Sequence, residues 1–209
     1  SIDFSRITIF ILVCLAIIIL SVSGLLAIRF LKLFPSVPES NQNPDGRNSY
    51  KVKGIKYYNN KNYVDAIENL TKALSATPED GFVSILLQNS YLYINGKPFC
   101  TIALMAPLSG YSQKKGEELL RGVALAQIKI NEGKELPGKG IMIRVEDDMS
   151  TISGAIKAGT MVCKDSNDIC AVIGPLNSDQ VKSISPVFNE HKLVCIAPTA
   201  SCPGVNELG

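Results

Sequence analysis

The sequence predicts an α/β fold: a partial doubly wound parallel sheet, preceded by a transmembrane helix and a small α-helical region. Three observations carry that expectation. An uncharged run of 22 residues sits near the start, a helix-periodic stretch occupies 50–97, and from 99 onward short apolar runs alternate with helical ones. Apolar strands separated by helices indicate a parallel sheet covered on both faces.

The first of these is residues 7–28, ITIFILVCLAIIILSVSGLLAI. As a helix, about 22 residues at roughly 1.5 Å each reach about 33 Å, enough for a hydrocarbon core of about 30 Å. Arg6 stands on one side, and Arg29 and Lys32 on the other. A cleaved signal peptide has a shorter apolar region, about 7–15 residues, and a small-residue cleavage site. Here Arg29-Phe30-Leu31-Lys32 follows instead. Residues 1–34 therefore read as a retained single-pass anchor, with 35–209 expected to be extracytoplasmic. Basic residues at both ends leave its direction unset by charge. The chain begins with Ser1, so residues removed from the start, or a longer protein with an upstream cytoplasmic portion, are both expected readings.

Residues 35–49, PSVPESNQNPDGRNS, have too little apolar surface to offset the entropy of ordering and read as a linker. Helical periodicity begins at 50. Gly54, Tyr57, Tyr63, Ala66, Leu70, Ala73 and Pro78 fall at spacings that resemble a tetratricopeptide repeat, in which small residues let two antiparallel helices approach. Residues 80–96 read as one further capping helix ending at Gly96. A single repeat cannot bury its own apolar face. The helical region, 50–97, is thus expected to be a spacer packed on its neighbour. A peptide groove and contact with a partner's repeats are the alternatives.

The α/β part predicts strands at 101–106, 140–147, 169–174 and 193–198, with helices at about 113–133, 152–165 and 179–190. Ligands of such sheets bind beyond the carboxyl ends of the strands. That gathers four loops on one edge: 107–112, 147–151, 175–179 and 198–203. They read PLSGYS, DDMST, PLNSD and PTASCP, rich in small hydroxyls. Histidine, a Lys–Ser pair and facing carboxylates are missing from them, so an enzyme is not expected. A hydroxyl beside backbone N–H groups at a helix start suits a carboxylate. Ser178 and Thr151 also fit plain helix caps. Asp147 and Asp148, at a strand end, fit turn and capping roles.

The overall balance of 21 basic and 19 acidic residues shows no clustered basic face, and nucleic acid is not expected as a partner. No cofactor or metal is expected either. Six cysteines and one histidine are present, without zinc-type spacing. Cys14 lies in the apolar run, Cys195 and Cys202 straddle the last loop, and Cys100 has no evident partner. Cys163 and Cys170 bracket KDSNDI, and are the favoured disulfide against buried free thiols. KGEELLRG (115–122) places acids at a helix start, and GKELPGKG (133–140) lacks the Gly-Lys-Ser/Thr of a phosphate loop.

PLSGYSQKKGEELLRGVALAQIKIN, VEDDMSTISGAIKAG and AVIGPLNSDQVKSISPVFNEHKLVCIAPTAS, in this order, resemble the type I periplasmic binding proteins, nearest the branched-chain amino-acid receptors. The resemblance covers about 99–209. It implies an amino acid gripped between two lobes, the first holding the carboxylate and amine through hydroxyl and main-chain groups. By motif position it implies Ser178, Thr199 and Ser201 as contacts. Tyr111 lies where the family lines its cleft, and Ser109-Gly110 provides the tight turn beside the ligand. It also implies a second lobe and an acid for the ammonium, for which 99–209 holds no counterpart.

The expected function is a membrane-anchored, extracytoplasmic, bacterial solute-binding module for an amino acid or similar small polar ligand. Its partners would be that ligand, the membrane, and transporter subunits of the ABC type or a signalling domain, with cleft closure as the output. A protein-interaction scaffold that has lost its ligand is the alternative.

Overall fold

The computed structural model describes residues 44–133 and 136–201. The apolar segment 7–28, Cys14 and Cys202 lie outside them. Among the described residues, no helix is long and apolar enough to cross a membrane.

Among the described residues, six α-helices and four strands follow in chain order: α1 (Pro44–Asn59), α2 (Tyr63–Ala76), α3 (Gly81–Ile94), β1 (Phe99–Ala106), α4 (Gln113–Glu132), β2 (Gly140–Asp147), α5 (Ile152–Lys164), β3 (Ile169–Ile173), α6 (Ser178–Glu190) and β4 (Cys195–Ile196). Helix α1 starts inside the stretch read as linker. Proline is pre-organised for a helix's first turn, where its missing N–H costs nothing. The helix is then held by packing further along, where Ile55, Tyr57 and Tyr58 meet the α2–α3 cluster. Strand β4 is shorter than the apolar pattern predicts: Val194 and Ile196 are exposed, and two residues pair with β3.

The four strands are all parallel, in the order β2-β1-β3-β4. Alternation along β1 sends its side chains to two cores. Ala103 and Met105 face Ala158 and Val162 of α5 and Ile184 and Phe188 of α6. Leu104 and Ala106 face the opposite way, with Ile85 of α3 and Leu120 and Ala124 of α4. Helix α3 therefore covers the sheet alongside α4, and also packs on α2 through Val83 and Leu86. The helical region is joined to the sheet through this shared helix. Gly54 lies against Leu70, where an added Cβ would sit 2.7 Å from Leu70 Cδ2.

Strand β2 is an edge, and two asparagines occupy its outer side. Ile143 N–H donates to Asn89 Oδ1 at 3.1 Å, and Asn89 Nδ2 donates to Ile143 O at 2.8 Å. Two residues earlier, Ile141 N–H donates to Asn131 Oδ1 at 2.7 Å, and Asn131 Nδ2 returns to Ile141 O at 3.2 Å. Each side chain imitates a strand neighbour, which satisfies backbone groups that would otherwise invite pairing with another chain. Asn89 is buried, and Gln127 Nε2 also donates to its Oδ1 at 2.8 Å.

The expected Cys163–Cys170 bridge is not formed. Cys170 pairs with Cys100 across β3 and β1, with Cα atoms 6.2 Å apart and a sequence separation of 70. Cys163 sits in the last turn of α5 as a buried free thiol within the α5–α6 core. Neighbouring strands bring residues 100 and 170 together, while the α5 cysteine turns inward.

Candidate functional site

Chain reversal at the carboxyl ends of the strands sets the site. Helix α4 leaves β1 on one face, and α5 and α6 lie on the other, so the loops after β1 and β3 part at a switch point. Side-chain hydrogen bonds then tie all four loops into one rim.

Asp147, at the end of β2, organises the first loop. Its Oδ1 accepts from Leu108 N–H at 2.9 Å, Ser109 N–H at 3.3 Å and Met149 N–H at 2.8 Å, and its Oδ2 accepts from the Ser109 hydroxyl at 2.7 Å. Burial pushes this carboxyl up, but those donors outweigh it and hold the group below its ordinary value. The sequence reading of a turn role is met, with a reach across to the neighbouring loop. Ser150 adds a second tie: its hydroxyl donates to Ser109 O at 2.9 Å and accepts from Ser112 N–H at 3.1 Å. Gly110 is required between them. Its φ is +82°, and an added Cβ would stand 2.7 Å from Met149 O.

Asp148 is fully buried. Its Oδ1 accepts from Ser150 N–H at 2.9 Å, and among the described residues its Oδ2 has no hydrogen-bond partner. Burial pushes its pKa up. Thr151 caps α5, its Oγ1 accepting from Gly154 N–H at 2.9 Å. Gln180 Nε2 of α6 donates to Thr151 O at 3.1 Å, which joins the second loop to the third.

Tyr111 is 81% exposed, and its hydroxyl accepts from Asn177 Nδ2 at 3.3 Å. Asn177 occupies the N-cap of α6 but makes no side-chain cap bond, and Ser112 at the N-cap of α4 makes none either. Two helix starts on this edge thus lack the side-chain cap that Thr151 gives α5. Thr199 Oγ1 donates to Leu176 O at 2.7 Å, which joins the fourth loop to the third. Ser178 is the first residue of α6, next to Asn177. Ser201 is exposed at the far end of the fourth loop.

Of the five residues expected at the site, Ser109, Tyr111, Ser178 and Thr199 belong to loops joined in this way. Ser201 makes no hydrogen bond to the other four. Sequence reasoning missed Ser150 and Asn177 as the ties between loops. Both are polar residues beside a helix start, and their spacing alone matches ordinary capping. A cavity of about 440 Å³ is lined by Leu108 of the first loop but by none of the five expected residues.

No protein-family model matches the chain. Among curated proteins, the Leu/Ile/Val-binding protein BraC3 of Rhizobium johnstonii is 28% identical over 109 residues, which is 52% of this chain and 29% of that protein. Leu/Ile/Val-binding protein homolog 3 of Brucella melitensis is 25% identical over 109 residues, with the same shares. The chain therefore spans 29% of the length of these relatives. Among solved structures, the substrate-binding protein LivJ of Streptococcus pneumoniae in complex with isoleucine is 24% identical. It matches 52% of this chain and 31% of its own, with a TM-score of 0.49.

Proposed function

We propose that the rim is one half of a solute site, and that the chain is a solute-binding module for an amino acid or a similar small polar ligand. The observation that carries this is the start of α6. Its N-cap residue faces Tyr111 instead of its own helix, and it stands among hydroxyl-bearing loops bonded into one rim. A helix start without a side-chain cap attracts a carboxylate through its first N–H groups and its dipole. Ser178, Thr199 and Ser201 supply hydroxyls for the ligand, Tyr111 covers one side, and Ser109 shapes the loop from behind.

The similarity to two Leu/Ile/Val-binding proteins supports an amino acid as the solute and binding in place of chemistry. Residues 7–28 would anchor the module in the membrane, with residues 35–209 extracytoplasmic. The Cys100–Cys170 bridge suits such an oxidising compartment. A transporter of the ABC type or a signalling partner would read the closed cleft. The helical region acts as a spacer, and its tetratricopeptide-like residues serve the α1–α2 contact at Gly54 and Leu70.

A thermal-shift screen of the full-length protein against amino acids and small carboxylates tests this reading. A ligand-dependent rise in melting temperature, lost in the Ser178→Ala, Ser201→Ala double variant, is the expected result. A well-folded protein that responds to none of them would favour an interaction scaffold instead.

A further inference from the structure

Away from the rim, a cavity of about 440 Å³ opens where α1, the start of α3 and the start of α4 meet. Its size falls within the range of about 300–1,000 Å³ common for small-molecule sites. The surrounding helices are locked together. An added Cβ at Gly81 would stand 2.5 Å from backbone atoms of Leu120 and Arg121, so α3 begins directly on the α4 backbone. Asp80 caps α3 by accepting from Val83 N–H at 3.1 Å, and its other oxygen pairs with Lys51 of α1 at 2.6 Å. The cavity is thus formed before any ligand arrives.

Its lining combines an apolar wall with uncommitted charge. Phe82, Leu108 and Leu120 supply the wall, and Lys51 and Asp80 neutralise each other. Arg121 and Glu79 are exposed, and neither has an ion-pair partner among the described residues. Glu117 accepts from Gln113 Nε2 at 3.2 Å and has no ion pair either. A guanidinium and two carboxylates around an apolar wall match a ligand that carries both charges on an apolar body.

We propose that this cavity is a second small-molecule site, for a zwitterionic solute of dipeptide size with apolar side chains. Arg121 takes the carboxylate, Glu79 and Glu117 take the ammonium, and Phe82, Leu108 and Leu120 hold the side chains. The site also reports to the rim. Leu108 lines the cavity, and its N–H donates to Asp147, the carboxylate that holds Ser109. A ligand packed on Leu108 would therefore touch the loop that Asp147 holds in place.

Calorimetric titration of the full-length protein with leucyl-leucine tests this, with leucine titrated separately. Losing a charged hydrogen bond should weaken leucyl-leucine by about tenfold or more in Arg121→Ala, and similarly in Glu117→Gln. Both side chains are exposed, so thermal unfolding should show both variants folded. The Ser178→Ala, Ser201→Ala double variant should retain leucyl-leucine binding even where it loses leucine. No leucyl-leucine binding to folded protein would overturn the proposal. So would binding unchanged in Arg121→Ala, or binding lost only in the double variant. Loss of leucine binding alone bears on the rim and leaves this site standing.

Discussion

The Ser109 hydroxyl donates to Asp147 Oδ2 at 2.7 Å, so the serine at the turn beside the proposed ligand is already committed to holding its own loop. With the Leu108 and Ser109 amides on Oδ1, one carboxylate sets the path of the chain from β1 into α4. In the proposed site, Ser109 would therefore act on a ligand through loop position.

Asp147 and Asp148 should respond to pH in opposite senses. The folded pKa of Asp147 is depressed, so its stabilisation is present above the unfolded value of about 3.9 and lost as pH falls through the lower folded value. The folded pKa of Asp148 is raised by burial, so its contribution is full below that unfolded value and is lost as pH rises through the folded one. Asp147→Asn should lower the melting temperature at pH 7, with the difference shrinking under acid. Asp148→Asn should raise it at pH 8 and flatten the profile. Thermal unfolding of both variants across pH 3–8 checks the two signs.

Gly110→Ala should cost about 1–3 kcal/mol, because the residue has a positive φ and its Cβ would meet Met149 O. Chemical denaturation reads the loss. A change within error would mean that the loops can separate without penalty.

Asn89→Leu should be among the most damaging single changes in α3. It removes the side-chain partners of Ile143 N–H and Ile143 O together, and one of the two acceptors of Gln127 Nε2, which keeps Ile141 O. Leaving such buried groups unpaired costs about 1–3 kcal/mol each. Hydrogen exchange at the Ile143 amide provides a local readout: its protection should fall further than the global stability does.

Reduction of Cys100–Cys170, or Cys170→Ser, should cost about 2–4 kcal/mol, the usual range for a bridge closing a long loop. Cys163→Ala should leave the oxidised protein's mobility on non-reducing gels unchanged. A free Cys100 thiol found by mass spectrometry in unreduced protein would refute the pairing.

Regular elements were legible because their signals are local. Period-two and period-3.6 patterns located the strands and helices from 80 to 190 to within a few residues, and Thr151 was readable as a cap. Features that depend on strand order were not legible. Cys100 and Cys170 meet because β1 and β3 are neighbours, whereas linear spacing favours the closer Cys163. Asn89 was a visible anomaly, a polar residue within the apolar run GFVSILLQNSYLYI. Its role required knowing that α3 lies along an edge strand. The rim residues showed as hydroxyl-rich loops, but the ties through Ser150 and Asn177 are contacts between loops far apart in sequence.

An amino acid is the solute proposed for the rim around α6. Isothermal titration of the full-length protein with leucine, isoleucine and valine, alongside its Ser178→Ala, Ser201→Ala variant, tests it most directly. Saturable one-to-one binding of at least one of the three is expected, weakened by about tenfold or more in the double variant. Binding of equal strength in both proteins, or none in a folded full-length protein, would contradict it.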